Sequence, residues 1–322
     1  MSDLKKPFES SESQQLSKTR HERVGADEEG QRIDNFLIRR CKGVPRSHVY
    51  RIIRKGDVRV DGRRIKQTRK LVAGEQVRIP AIRLAVESER RVPDKLARAA
   101  GSAILLEHDD FLVVNKPPGI AVHGGSGLAF GLIDALRQFR EEPKLELAHR
   151  LDRATSGCLL VGRNLSANRK LQDLFRQRDI AKRYSAVVDG QWPKSLKRVD
   201  APLLKNQEHA GERRVMVDPS GQEALTYFAV AETFTQATLL DIELDTGRTH
   251  QIRVHARHSG HAVVGDGRYG DNSRNTRFKK MGLNRLFLHS RELAFEWKGE
   301  NFQVAAAPDE QWQRALSTLR SS

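Results

Sequence analysis

The sequence predicts an α+β fold in which a mixed, mostly antiparallel sheet with flanking helices and loops follows a small, strongly basic module. Three observations lead there. Beyond about residue 103, short apolar runs with strand character outnumber helical patterns, and the two do not alternate as a parallel, doubly wound sheet would require. Ahead of them, two helical repeats and a hairpin signal crowd into one short stretch. Charge is also uneven: of a formal +16, fourteen basic residues against three acidic ones lie between Gln31 and Lys70.

Residues 1–20 (MSDLKKPFESSESQQLSKTR) are polar, Ser- and Gln-rich and without apolar periodicity, and are expected to be a disordered tail. Residues 21–90 then form the basic module. Ile33, Phe36 and Leu37 recur at helical spacing. Pro45 in a first turn, Val49, Ile52 and Ile53 on one face and Gly56 as a stop mark a second helix. Its other face carries Arg51, Arg54 and Lys55. Asp61-Gly62 between two alternating runs, Val58–Val60 and Arg63–Ile65, is a hairpin signal, and a further strand over Gln76–Ile79 stops at Pro80. A basic patch on a folded module is the footprint of nucleic-acid binding, because every phosphate contact releases condensed counterions.

Residues 91–102 continue a charged stretch without clear periodicity and read as a linker, leaving 103–322 as the larger domain. Strands are expected at Ile104–Leu106, Phe111–Val114, Cys158–Val161, Tyr184–Val188, Leu225–Val230, Ala237–Leu244 and Leu293–Trp297. Leu132 to Phe139, Leu171 to Phe175 and Trp312 to Leu319 show helical spacing.

Several classes of function are disfavoured. No apolar run has the length of a membrane-spanning helix and the first twenty residues lack a signal-peptide core, so a soluble cytoplasmic protein is expected. Two distant cysteines, Cys41 and Cys158, give neither a disulfide framework nor a zinc ribbon. The glycine loop His123-Gly124-Gly125-Ser126-Gly127 has neither phosphate-loop order nor dinucleotide-fold spacing; it suits a mobile loop beside a ligand. His255, His258 and His261, near His250, lack HExxH or a cysteine, and Gly260 turns His261 off the helix face. They read as structural or RNA-contacting histidines, with no metal and no nucleotide cofactor expected.

Four stretches embed polar or cationic residues in apolar elements: VVNKPPGIAVH (Val113–His123), HRLDRATSG (His149–Gly157), KRYSAVV (Lys182–Val188) and TGRTHQIRVH (Thr246–His255), followed by RLFLHS (Arg285–Ser290). Singly, each has an ordinary explanation: a turn after a strand, a sheet tyrosine, a surface cation, an aspartate capping a turn. HRLDRATSG still poses a problem, since a surface built only to grip polyanions gains nothing from a carboxylate, Asp152, between Arg150 and Arg153.

Together these stretches resemble the pseudouridine synthases that modify uridines of ribosomal and transfer RNA, whose signature is HRLDxxTSG. Gln31–Ile79 resembles the S4-like RNA-binding domain, with Arg32, Arg46, Arg51, Arg54 and Lys55 as its RNA-contacting cations. The resemblance implies a cofactor-independent isomerase in which Asp152 is the nucleophile or base, suited to an electrophilic sugar or base carbon. It implies that Arg253 pairs with Asp152 and holds it oriented and ionised. Tyr184 would stack on the flipped uracil and act as general base at C5. Arg150 would fill the place the base vacates, and Leu288 would wall the pocket. His149, Thr155, Asn115, Lys116, Arg248 and His250 are further candidates for pocket or RNA-backbone contacts.

The implied partner is 23S ribosomal RNA or a large-subunit precursor, bound by a monomer. A transfer RNA substrate is the alternative within this chemistry. A ribosome-assembly factor that only grips RNA is the alternative outside it, and Asp152, Tyr184 and Arg253 together speak against a pure binder.

Overall fold

In the computed structural model the chain forms two units, Met1–Arg91 and Val92–Ser322; residues 14–16, 18–41, 44–85, 91–124, 128–207 and 213–322 are described. The first unit contains β1 (Gln14–Leu16), β2 (Arg20–Arg23), α1 (Ile33–Arg40), α2 (Arg46–Lys55), β3 (Arg59–Val60), β4 (Arg63–Arg64), β5 (Gln76–Ile79) and β6 (Arg83–Ala85). Its four-stranded sheet runs β2-β5-β3-β4, and β1 pairs antiparallel with β6. The helical spacing has a direct cause: Ile33, Phe36 and Leu37 of α1 and Val49, Ile52 and Ile53 of α2 are buried in one cluster with Val60 and Val77 from the sheet. Gly56 ends α2 at φ +79°. Asp61 and Gly62, at φ +47° and +75°, make the tight β3–β4 turn, whose twist requires left-handed backbone at both central positions.

The expected tail is corrected in part. Residues 14–16 find a ladder partner in 83–85, and Arg20 opens β2; strands this short carry no readable side-chain pattern. Residues 1–13 and 17 lie outside the described residues.

The second unit begins with α3 (Asp94–Ser102), β7 (Ile104–Glu107), β8 (Phe111–Lys116), α4 (Leu132–Arg140), β9 (Glu146–Leu147), β10 (Ser156–Gly162) and α5 (Leu165–Gln177). There follow β11 (Ala181–Asp189), β12 (Arg198–Asp200), β13 (Leu203–Gln207), β14 (Arg213–Val217), β15 (Leu225–Thr233) and β16 (Ala237–Leu244). It closes with α6 (Gln251–His258), α7 (Asn272–Lys280), β17 (Leu288–Trp297), β18 (Glu300–Ala305) and α8 (Glu310–Arg320). Ten strands form one sheet in the order β12-β15-β16-β11-β17-β10-β8-β7, with β18 on β17 and β9 on β10. Every pairing in it is antiparallel except β10 with β17. The fold is therefore a mixed, mostly antiparallel α+β structure, and β13–β14 stands apart as a hairpin.

Strand β8 shows why its sequence reads as an unbroken apolar run. Leu112 and Val114 pack with Leu132, Ile133 and Leu136 of α4, whereas Phe111 and Val113 pack on the opposite face with Leu171 and Trp297. The linker expected over 91–102 is also corrected. Ala97 and Ala100 of α3 are buried, and Val92 is tied at both N–H and C=O to the Gln138 side chain. An alanine-built apolar face leaves little periodic signal among charged neighbours.

The parallel β10–β17 contact is short, matching Ser156 with His289 and Gly157 with Ser290. Gly157 sits at φ +108°, and a Cβ there would lie 2.2 Å from the Ser290 carbonyl oxygen. Only glycine permits this approach, which brings the end of the HRLDRATSG loop beside Leu288. Among the described residues no helix is long and apolar enough to cross a membrane.

Candidate active site

The HRLDRATSG segment runs through a loop into β10, and a Thr155 N–H to Asp152 carbonyl bond of 3.1 Å tightens it. Asp152, Arg150, Thr155, Tyr184, Arg248, His250, Arg253 and Leu288, drawn from four separate stretches, line one open cleft with about 390 Å³ of empty space, the solvent at its mouth included. Its cationic centre is Arg253 on α6. The Arg253 Nη1 donates to Asp152 Oδ2 at 2.9 Å, while Nε and Nη2 donate to the two oxygens of Asp266 at 2.7 and 2.8 Å. Asp266 Oδ1 also accepts the backbone N–H groups of Arg268 and Tyr269.

Burial alone would raise the Asp266 carboxyl, but Arg253 and those two N–H groups hold it below the usual carboxylate range. Burial likewise works against the Arg253 charge. The Asp266 and Asp152 carboxylates outweigh it and raise the guanidinium above its ordinary value. Asp266 is the principal residue that sequence reading missed. The one available signal was an acid inside Gly265-Asp266-Gly267-Arg268, the same oddity that marks Asp152.

His250 precedes α6 with left-handed backbone, φ +57° and ψ +18°. Its Nε2 lies 3.7 Å from Asp152 Oδ2 and its Nδ1 lies 2.8 Å from Tyr269 Oη. Tyr269 Oη also accepts the Val215 N–H at 3.1 Å, which fixes the phenol beside the imidazole. Burial depresses the imidazole against the opposing pull of Asp152. The Tyr269 ring lies 5.1 Å from the Arg253 guanidinium carbon.

The rest of TGRTHQIRVH fixes this geometry. Gln251 Oε1 accepts from the Thr246 hydroxyl and the Arg248 N–H, and its Nε2 donates to the Leu225 carbonyl and Thr226 Oγ1. His255 is buried between the Thr226 hydroxyl and the Ala201 carbonyl, a structural placement. Among the described residues no group of three or more His, Cys, Asp or Glu is arranged to hold a metal ion.

Tyr184 projects from β11, where it pairs in register with Ser290 of β17. Burial pushes its phenol up to about 12 against the opposing influence of the Ser290 hydroxyl. Leu288 is buried beside it, at the start of β17. Arg150 is exposed and makes no hydrogen bond or ion pair with the described residues. Arg248 donates through Nε to the Glu223 carbonyl.

Three candidates do not belong to the cleft surface. Lys116 is fully buried and gives its three N–H bonds to the carbonyls of Pro117, Ile120 and Arg153, with burial pushing its amine down to about 7. His149 Nε2 accepts the Leu160 N–H, its ring packs on Phe175, and burial pushes it down to about 3. Asn115 donates to the Ala307 carbonyl. The contacts of Lys116 and His149 are internal, so RNA contact by these two side chains is corrected to a structural role, whereas the Asn115 bond lies at the surface. Part of the glycine loop, residues 125–127, lies outside the described residues.

In the first unit, Arg46, Arg51, Arg54 and Lys55 are exposed on the outer face of α2. Arg32 instead pairs with Asp34 at 2.5 Å, and Arg51 lies 2.8 Å from His48 Nδ1.

Residues 110–258 match the family described as RNA pseudouridylate synthase, and residues 31–81 match the S4 domain. Ribosomal large subunit pseudouridine synthase C of Escherichia coli K12 is 49% identical over 306 residues, covering 93% of this chain and 96% of that protein. The chain belongs to the RNA pseudouridylate synthase family. The synthase is also 49% identical over 304 residues to the Yersinia pestis enzyme of the same name, across 93% of this chain and 95% of that one. With the Haemophilus influenzae enzyme the identity is 46% over 304 residues, across 93% and 94%. Among solved structures, human RNA pseudouridylate synthase domain containing 4 aligns at a TM-score of 0.60 and 25% identity, covering 70% of the synthase and 96% of that chain. The synthase is thus an RNA-modifying isomerase carrying an S4 domain.

Proposed function

We propose that the protein converts uridines of large-subunit 23S ribosomal RNA to pseudouridine, with Asp152 as nucleophile or base. The substrate assignment is supported by the likeness to ribosomal large subunit pseudouridine synthases and by the S4 unit. The catalytic assignment is supported by one observation above the others: Asp152 is held at 2.9 Å by an arginine whose remaining guanidinium nitrogens are locked on Asp266, in a cleft that also holds Tyr184.

The isomerisation breaks the N1–C1′ bond, turns the uracil while it stays trapped, and joins C5 to C1′; the proton lost from C5 is balanced by one gained at N1. No electron leaves or enters, so the residues need only supply a carboxylate, a base site and a closed pocket. Attack at C1′, attack at C6 and removal of the 2′ proton all begin from the same Asp152 oxygens. Arg253 orients that carboxylate. Arg150, exposed and unpaired, stacks into the gap left by the flipped nucleotide. Leu288 and the Tyr184 ring hold the uracil between apolar surfaces and keep water from the intermediate. Because Tyr184 stays a neutral phenol at physiological pH, it receives the C5 proton only in concert with loss of its own.

The test is pseudouridine mapping by carbodiimide blocking and primer extension on unmodified 23S rRNA. The wild type should leave marks and Asp152→Asn none, with RNA binding retained. Marks on transfer RNA instead would move the substrate, and binding without marks on either RNA would overturn the catalytic reading.

A further inference from the structure

Helix α7 is an unusual element for its position. Its nine residues, NSRNTRFKK, carry Arg274, Arg277, Lys279 and Lys280 and no acid, and they include Ser, Thr and two Asn, which are poor helix formers. A helix this short does not form alone. Three things hold it. Asp271 caps it by accepting the N–H groups of Ser273 and Arg274. Phe278 is fully buried in a cluster with Phe287 and Trp312. Asn275 fixes its inner side, accepting the Gly265 N–H at 2.9 Å and donating to the Asp266 carbonyl at 3.0 Å.

The last contact places α7 one hydrogen bond from the residue that grips Arg253. On the outer side, Arg277, Lys279 and Lys280 are exposed and make no ion pair or hydrogen bond with the described residues, whereas Arg274 pairs with Asp189. Apart from the Arg277 guanidinium, 5.7 Å from the Phe278 ring centre, these three unneutralised cations add nothing to the anchoring of the helix. A polyanion is the partner whose charge they fit.

We propose that α7 is a phosphate-binding surface of the synthase unit for the substrate RNA, fixed to the Arg253–Asp266 pair through Asn275. It is a second electrostatic contact besides the S4 unit, and it acts on RNA already near the cleft. The proposal rests on the isomerase reading for the identity of its ligand.

The test uses the full chain and unmodified 23S rRNA transcript, with affinity measured over a series of KCl concentrations. Arg277→Gln/Lys279→Gln/Lys280→Gln is compared with wild type and with a charge-matched control in the same unit, Lys170→Gln/Lys194→Gln/Lys197→Gln. The α7 variant should bind with a log–log salt slope shallower by roughly 2 to 3, about 0.7 to 0.9 for each lost phosphate contact, and the control should keep the wild-type slope. Arg277→Lys/Lys279→Arg/Lys280→Arg, which preserves charge, should also keep it. A wild-type slope in the α7 variant, or an equal loss in the control, overturns the proposal. Wild-type protein that binds the transcript but never forms pseudouridine overturns the isomerase reading and leaves the surface standing, so the two failures are distinct.

Discussion

Asp266 grips Arg253 at two points, Oδ2 on Nε at 2.7 Å and Oδ1 on Nη2 at 2.8 Å, and does so with its own side chain fully buried. The pair converts a flexible arginine into a fixed arm whose remaining Nη1 reaches Asp152. Asp266→Asn removes the counter-charge and leaves a buried guanidinium short of a partner. Stability should fall by about 3–5 kcal/mol, the cost of breaking a buried pair from one side. Chemical denaturation measures that, and pseudouridine formation should drop in the part of the population that stays folded. Unchanged turnover would mean that Arg253 is oriented by something other than Asp266.

The same carboxyl gives a pH signature. Its folded pKa is depressed, so its contribution is complete above the unfolded carboxylate value of about 3.9 and is lost as pH falls through the lower folded value. Denaturant midpoints of Asp266→Asn should therefore fall less steeply with acid than those of wild type in that window.

His149 gives a second pH signature, from a base instead of an acid. It is neutral in the folded protein down to about pH 3, whereas the unfolded chain takes up a proton near 6.5. Protons favour the unfolded state between those values. Stability should decline as pH is lowered from 6.5 towards 3, by at most about 1.4 kcal/mol per pH unit from this group. His149→Asn, which keeps an acceptor for the Leu160 N–H, should flatten that part of the urea-midpoint profile.

Tyr184→Phe keeps the ring and loses the hydroxyl. RNA affinity should be retained while single-turnover formation of pseudouridine slows. Full preservation of the rate would remove the hydroxyl from proton transfer and leave stacking as the tyrosine's role. A basic limb in the wild-type rate profile well below pH 12 should survive in the variant, because it reports another group.

The outer face of α2 predicts a salt effect without a stability effect. Arg51, Arg54 and Lys55 are exposed, so replacing all three by glutamine should move the thermal midpoint little, exposed substitutions being worth about 0.5 kcal/mol or less each. The log–log salt slope for rRNA binding should become shallower by roughly 2 to 3. An unchanged slope would show that this face is idle.

Much of the arrangement was legible because it depends on repeated local rules. Ile33, Phe36 and Leu37 announce α1 by spacing, and Asp61-Gly62 announces its hairpin by conformational need. Asp152, Tyr184, Arg253 and Leu288 were singled out by motif, and they meet in one cleft. Residues whose meaning depends on a distant partner were not legible. Nothing near Asp266 in sequence says that it faces Arg253, and Lys116 looks like a surface cation until its three carbonyls are seen. Helix α3 was missed because alanines make its buried face, and α7 because its stability comes from Asn275 and Phe278 and not from propensity.

The Lys116 cradle bears on how this loop tolerates change. All three of its acceptors are main-chain carbonyls, at Pro117, Ile120 and Arg153. The Lys116 fastening is thus indifferent to the side chain at 120, whereas Arg153 adds a tie of its own, its Nε donating to the Gly119 carbonyl at 2.8 Å. Sequence drift at 120 leaves the Lys116 anchor intact, and the constraint falls on Lys116 first, with Arg153 and Gly119 (φ +82°) behind it. A saturation scan for folded protein should find Lys116 intolerant of every replacement and Arg153 of those that lose its donor, while apolar exchanges at 120 pass, leaving that position free to adapt.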